Sequence, residues 1–286
     1  MDTKRPDPSE LPDDASGIVQ TVKERYGAIA ESASSGCCGP QISCCGPSQS
    51  KIATELGYTP TDLGLIPEGA NLGLGCGAPT ASLELQPGET VLDLGSGAGI
   101  DAILAARAVG PEGRVIGVDM TPQMLASARE NAAAAGLTHV EFREGRLEAL
   151  PVDDGSVDAV TSNCVINLVP DKGAVFREIS RVLKPGGRMV ISDVVLDGAL
   201  PDAVTSNVLA YVGCVAGALQ RDQYFSLLRD AGLGEVEILK DVDFVELVGD
   251  SLPAELQEIA AASGITAEDV RGLVRSVTYR AVRYKT

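Results

Sequence analysis

The sequence predicts an α/β fold: an open, mostly parallel sheet with helices on both faces. Three observations carry that prediction. Thr90 to Leu94 (TVLDL) is a short, apolar, β-branched-rich run. Gly95-Ser96-Gly97-Ala98-Gly99 follows it as a glycine turn, and Ile100 onward has helical spacing. Strand, glycine turn and helix is how an open α/β sheet begins its ligand site, because only glycine lets the backbone turn that tightly and approach a ligand closely.

The other elements follow in order. Residues 1–13 are polar and Pro/Asp-rich and are expected to fray. Asp13 or Asp14 caps a helix to about Ser32, with Ile18, Val22, Tyr26 and Ile29 on one face. Ser34 to Ser50 (SSGCCGPQISCCGPSQS) has too few large apolar residues to fold alone and reads as a mobile, Cys-rich loop. A short helix is expected over 51–58, then a loop-like stretch from Pro60 to Leu72-Gly73-Leu74-Gly75-Cys76-Gly77. Pro79 suits a helix start, and Pro87-Gly88 turns the chain into the first strand.

Arg114 to Val118, closed by Asp119, is the second strand. Thr121-Pro122 opens a helix through Ala134. His139 to Arg143 is the third strand, Ser156 to Ser162 the fourth, and Arg188 to Val194 the fifth. Between the last two, Asp171 to Leu183 is helical and Lys184-Pro185-Gly186-Gly187 ends it. Beyond Asp197 the pattern changes: helices over Asp202 to Leu219 and Arg221 to Ala231, and strands over Glu235 to Lys240 and Phe244 to Val248. Helices over Glu255 to Ser263 and Ala267 to Arg275 follow, then a final strand over Ser276 to Arg283. No second glycine turn occurs, so this portion is expected to cover the open end of the sheet and close the substrate site. The expected organisation is 1–59 as an N-terminal helix with a Cys-rich segment, 60–197 as the sheet domain, and 198–286 as a smaller α+β unit.

Bulk properties limit the function. The chain has 286 residues, 44% of them apolar, and a formal net charge of −17. A surface that acidic argues against nucleic acid as a partner, since phosphate binding needs basic residues. It also disfavours anionic membranes, and high solubility is its plainest consequence. No stretch approaches ~20 apolar residues, and the N-terminus lacks a signal-peptide core. A cytoplasmic, reduced and monomeric protein is expected, so the seven cysteines are not a static disulfide framework.

The glycine pattern selects the ligand. Dinucleotide sites use G-x-G-x-x-G against a pyrophosphate. Here the turn is G-x-G-x-G with Asp93 before it, which repels a pyrophosphate but suits an ammonium or sulfonium charge. Asp119, 20 residues after Gly99, is where an acid in such folds holds both ribose hydroxyls. With RVLKPGGRMVIS (Arg181 to Ser192), these features resemble class I S-adenosylmethionine methyltransferases with a Rossmann-like sheet.

Three cysteines outside the CC pairs matter by position. Cys164 follows the fourth strand, at the sheet end where ligands bind. Cys214 is placed mid-helix, and Cys76 sits between glycines. Each could be a buried structural cysteine, a reading that suits Cys214 best and Cys76 least. C-C-x5-C-C is not zinc spacing. A three-thiolate site suits a soft pyramidal ion with a lone pair, such as trivalent arsenic. His139, the only histidine, lies in a predicted strand and is structural, so no general base is expected.

SNCVINLVPDK (Ser162 to Lys172), GCVAGAL (Gly213 to Leu219) and LGCG (Leu74 to Gly77) resemble the signature of arsenite S-adenosylmethionine methyltransferases, over nearly the whole chain. The resemblance implies Cys164 and Cys214 as the arsenic-binding pair and Cys76 as a third thiol. It also implies a transient disulfide from Cys76 to an N-terminal cysteine, with Cys37, Cys38, Cys44 and Cys45 as candidates. An equally weighted reading is that those four scavenge arsenite and pass it on. The family often carries a tryptophan a few residues before the helical cysteine; here Tyr211 stands nearby and the chain has no Trp.

Donor contacts are expected from Asp93, Gly95, Ser96, Gly97, Gly99 and Asp101 at the methionine end. Asp119 takes the ribose, Met120, Leu147 and Glu148 the adenine, and Asn163 lies near the methionine moiety. Glu148 has a plainer reading as a solvated surface acid. S-adenosylmethionine is the expected methyl donor, with a glutathione- or thioredoxin-like thiol reductant as co-substrate. Arsenite and methylated trivalent arsenicals are the expected substrates. The rival readings are a small-molecule O-, N- or C-methyltransferase with incidental cysteines, and a non-catalytic thiol-rich metalloid-binding protein.

Overall fold

In the computed structural model, residues 12, 14–34, 49–205, 210, 213–248 and 266–285 are described. They build a seven-stranded sheet of order β3-β2-β1-β4-β5-β7-β6. The strands are β1 (Thr90–Leu94), β2 (Arg114–Asp119), β3 (Val140–Glu144), β4 (Val157–Asn163), β5 (Leu183–Leu196), β6 (Leu233–Asp243) and β7 (Val274–Arg283). β1 to β5 pair in parallel; β7 runs antiparallel between β5 and β6. The strand order reverses between β1 and β4, and a crevice forms outside the carboxyl ends at such a switch point. The chain puts Gly95 at one lip of that crevice and Cys164 at the other.

β1 and β2, inside the sheet, are covered on both faces, which is why they read as nearly unbroken apolar runs, whereas the edge strand β3 alternates. Val91, Leu92 and Leu94 of β1 are fully buried. Helices α1 (Ala15–Ser34), α2 (Gln49–Leu56), α3 (Pro60–Leu65), α4 (Ile100–Val109), α5 (Pro122–Ala134) and α6 (Lys172–Val182) precede β5 in the chain. Among the described residues, α7 (Asp202–Thr205), α8 (Arg221–Asp230), α9 (Phe244–Val248) and α10 (Ala267–Val270) follow it. Among the described residues no helix is long and apolar enough to cross a membrane.

Several expectations are corrected. The stretch after Pro60 is not all loop: Thr59 and Asp62 form a reciprocal capping box with Pro60 at the first turn, and α3 results. Lys184-Pro185-Gly186-Gly187 lies inside β5 rather than between elements. Glu235 to Lys240 is part of the longer β6, whereas Phe244 to Val248 is helix α9, not a strand. Its partner explains this: the last β6 pair is Asp243 with Arg275, one residue from the start of β7, so no ladder remains beyond it. Asp243 then accepts a hydrogen bond from the Val245 N–H at 2.8 Å, which starts the helix. The helix expected over 267–275 stops at Val270, and that expected over 255–263 lies outside the described residues.

The helix expected over 202–219 does not include Cys214. Val215 N–H bonds to Ala210 C=O at 2.9 Å, and Cys214 has φ 65°. That six-to-one bond over a left-handed residue is a Schellman helix ending. The boundary expected at 198 does not interrupt the sheet, since β7 and β6 continue it. The turn at 213–219 packs beside Cys164, whose carbonyl oxygen accepts from the Cys214 thiol, and its Leu219 carbonyl accepts from Leu196 N–H at 2.9 Å. Among the described residues, none beyond 197 lines the cleft.

Candidate active site

One cleft opens at the switch point. Asp93, Gly95, Ser96, Gly97, Asp101, Asp119, Met120, Leu147, Glu148, Asn163 and Cys164 all line it. Gly99 does not: at φ 96° it begins α4 and packs against Phe142 and Ala128. Gly95 is needed twice over, because it has φ 66° and a Cβ there would stand 2.5 Å from Val165. Cys37, Cys38, Cys44, Cys45 and Tyr211 lie outside the described residues.

Three aspartates face this cleft, with Glu148 beside them. Asp93 is buried and its Oδ2 has no hydrogen-bond partner, nor has the buried Ser96 Oγ. Burial, then the charges of Asp101 and Asp119, push Asp93 well above the ordinary carboxylate range. Asp119 accepts from Gly97 N–H at 3.0 Å and Thr121 N–H at 2.9 Å, one on each oxygen, and the Thr121 hydroxyl and Met120 N–H also favour its charged form. Asp101 is held by Thr80 at 2.6 Å, Tyr58 at 2.9 Å and Asn163 at 3.2 Å. A buried, unpartnered carboxylate beside a glycine turn calls for a cation with hydrogen-bond donors. An α-ammonium, with ribose hydroxyls at Asp119, satisfies both acids, so these residues fit S-adenosylmethionine.

The three thiols converge beside the cleft: Cys164 lines it, and Cys76 and Cys214 are buried behind it. The Cys76 and Cys164 sulfurs and a carboxylate oxygen of Asp193 lie within 4.8 Å of one another. The Cys214 thiol donates to the Cys164 carbonyl oxygen at 2.8 Å. Cys164 and Cys214 both adopt left-handed backbone, φ 56° and 65°. For a non-glycine residue this costs about 1–3 kcal/mol, and such strain gathers at functional sites. All three sulfurs are protonated thiols at neutral pH. Burial raises Cys76. The hydrogen bond with Cys214 lowers Cys164, but those with Cys76 and burial outweigh it. The bond to Cys164, then burial, raises Cys214. Tyr26 of α1 lines the same cleft within electrostatic reach of all three thiols and Asp119.

Asn163 lines the cleft and also holds the Cys76 loop. Its Oδ1 accepts from Cys76 N–H at 3.0 Å and its Nδ2 donates to Gly77 C=O at 2.8 Å. The residue before Cys164 thus clamps the loop that carries Cys76. The flanking glycines let that loop dock: a Cβ on Gly75 would meet Asn163 at 3.0 Å, and one on Gly77 would meet Ser192 Oγ at 2.4 Å. Asn163→Ala is expected to free the Cys76 N–H at a local cost of about 1–3 kcal/mol. Its signature is faster alkylation of Cys76, resolved by mass spectrometry; unchanged Cys76 reactivity would remove the clamp.

Sequence reading missed Asp193, Lys172, Tyr58 and Tyr26. Asp193 sits in an apolar run, MVISDVVL, where a buried polar residue invites a partner search, which is the signal that was available; Tyr58, in TELGYTPTD, carries no such signal. His139 lies just before β3 rather than in it, and its Nε2 meets the Ala106 carbonyl at 2.9 Å.

Residues 85–232 match the Methyltransferase domain family. The chain is 48% identical to an arsenite methyltransferase of Halobacterium salinarum, over 81% of this chain and 61% of that protein. It is 42% identical to an arsenite methyltransferase of Aquipseudomonas alcaligenes, over 58% of this chain and 50% of that one. The chain therefore spans between half and three fifths of these relatives' length. The crystal structure of an arsenic(III) S-adenosylmethionine methyltransferase from Chlamydomonas reinhardtii superposes with a TM-score of 0.58 at 33% identity, covering 82% of this chain and 73% of that one. The cleft, the thiols and these likenesses together establish that the chain belongs to the arsenite S-adenosylmethionine methyltransferase family, on a class I methyltransferase fold.

Proposed function

We propose that the chain transfers a methyl group from S-adenosylmethionine to trivalent arsenic held by its thiols, as part of arsenic detoxification. The single observation that carries this reading is the convergence of Cys76, Cys164 and Cys214 beside a cleft whose acids fit the donor. Neutral thiols suit the first step: each exchanges with one hydroxyl of arsenite, an As–S bond replaces an As–O bond, and the proton leaves in water. When bound, the donor supplies a sulfonium methyl. Cys164 and Cys214, with Cys76, hold arsenic so that its lone pair faces the cleft. No proton has to be removed from that lone pair, so the site needs no general base. Holding both partners in line is the chain's main contribution, a gain of up to ~7–11 kcal/mol in well-oriented reactions.

Transfer of the methyl cation leaves arsenic two electrons more oxidised. Two thiols return them as they form a disulfide. Cys76 with one of Cys37, Cys38, Cys44 or Cys45 is the proposed pair, restored by a glutathione- or thioredoxin-like reductant. The protein acts in the cytoplasm as a monomer. The test is arsenic speciation. Protein, S-adenosylmethionine, arsenite and a thiol are incubated, and products are separated with elemental detection. Methylated arsenic in step with S-adenosylhomocysteine is expected. Donor binding with arsenite left unmethylated would overturn the proposal.

A further inference from the structure

Asp193 has no part in that reaction, yet it is fully buried beside the thiols. Its Oδ1 accepts from Asn167 Nδ2 and Val194 N–H, both at 2.9 Å, and its Oδ2 accepts from Tyr224 OH at 2.9 Å. Asn167 N–H also lies close enough to favour the charged carboxylate, and one carboxylate oxygen stays within 4.8 Å of the Cys76 and Cys164 sulfurs. Cys214 stands outside the group formed by the Cys76 and Cys164 sulfurs and the Asp193 oxygen, its thiol engaged by the Cys164 carbonyl.

We propose that Cys76, Cys164 and Asp193 form a binding site for a divalent cation of the zinc class, which excludes arsenite while it is occupied. Zinc takes thiolate sulfur at about 2.3 Å and carboxylate oxygen at about 2.0–2.2 Å, and three protein ligands with one open position are enough. Donors within 4.8 Å of one another close onto such an ion through small side-chain rotations. Asn167, Val194 and Tyr224 supply the hydrogen bonds that orient a ligating carboxylate.

Charge separates the two occupants. Two thiolates and Asp193 carry three negative charges against two on the cation. The buried Lys172, which senses the Asp193 charge and donates to the Val169 carbonyl at 3.0 Å, supplies the third positive charge. Arsenic with three thiolates is neutral by itself and leaves the Asp193 and Lys172 charges balanced. Each occupant is neutral, but with a different donor set: zinc uses Asp193 and not Cys214, arsenic uses Cys214 and not Asp193. Zinc binding releases two thiol protons to solvent, so it strengthens as pH rises.

The experiment needs no methyl transfer, so it stands apart from the proposed reaction. Reduced, metal-free full-length protein is titrated with zinc against a chromophoric chelator, and with cobalt(II), whose thiolate charge-transfer band reports sulfur ligation. The same titrations on a chain with Cys37, Cys38, Cys44 and Cys45 changed to serine remove the N-terminal thiols. The expected result is one zinc, a band of two-thiolate intensity, and a loss of at least about tenfold in affinity in Cys76→Ser and Asp193→Asn. Cys214→Ser keeps its zinc affinity. Arsenite retention by gel filtration shows the opposite ranking, with Cys214→Ser impaired and Asp193→Asn retained. No zinc uptake, an unaffected Asp193→Asn, or Cys214→Ser as weak as Cys76→Ser would each overturn the site. If Asp193→Asn does not fold, the contrast between Cys76→Ser and Cys214→Ser decides alone.

Discussion

Cys164→Ser and Cys214→Ser are each expected to lower arsenic methylation by about a thousandfold or more, by forfeiting much of the orientation gain of ~7–11 kcal/mol. The reason is ligand chemistry. Trivalent arsenic is soft and prefers thiolate, while a serine hydroxyl offers a hard oxygen. Serine is nearly the size of cysteine, and at position 214 its hydroxyl can still donate to the Cys164 carbonyl as the thiol does at 2.8 Å. The fold should survive. Donor affinity should survive too, since Asp93 and Asp119 are untouched. Initial rates by arsenic speciation, with calorimetry of donor binding beside them, separate these effects. Variants that methylate arsenic at wild-type rates would show that the thiols merely fill space. Serine at 164 that also loses the donor would point to a folding defect instead.

Asp93→Asn should move donor affinity and stability in opposite directions. The carboxylate is buried, and its Oδ2 has no partner until a donor ammonium arrives. A hydrogen bond to a charged group is worth about 1.5–3 kcal/mol, so donor affinity should weaken by about 10- to 150-fold. The stability change has a definite sign. Burial and the neighbouring Asp101 and Asp119 raise the folded-state pKa above its unfolded value. The folded form therefore holds this proton more tightly than the unfolded chain. Stability without donor is highest below the unfolded pKa and falls as pH rises towards the folded value. Asparagine has no such proton, so Asp93→Asn should melt higher than wild type at neutral pH, with a flatter pH dependence above the carboxylate range. Melting curves across pH with and without S-adenosylmethionine measure both quantities. Wild-type donor affinity in the variant would remove Asp93 from the donor site.

Asn163 shows how a residue singled out for one place can carry a second contact that its sequence neighbours do not reveal. It was placed near the methionine moiety because it follows β4, and it does line the cleft. Its amide also serves the Cys76 loop, 86 residues away in sequence at Gly77. Cys214 was legible as a ligand through resemblance, but a run of apolar residues at helical spacing hid the helix ending before it. Periodicity reports which face is buried; it does not report where a left-handed residue closes a Schellman turn. Phe244 to Val248 failed for a related reason. Its β-branched and aromatic residues favour a strand, but strand propensity is realised only against a partner, and β7 ends at that point.

What the sequence determined by itself is whatever rests on neighbours along the chain. The alternation of strand and helix, the glycine turn, the acid before it and the acid closing the next strand were all readable, because each depends on a local backbone requirement or a short period. The tertiary structure decided what depends on distance in space. It brought Cys76, Cys164 and Cys214 together beside the cleft, clamped the Cys76 loop with Asn163, left one oxygen of Asp93 unpartnered, and set Asp193 beside two sulfurs. No local propensity encodes these. They follow from the register of β4 on β5, the docking of the Gly75-Cys76-Gly77 loop against Asn163 and Ser192, and the burial that removes water from every group involved.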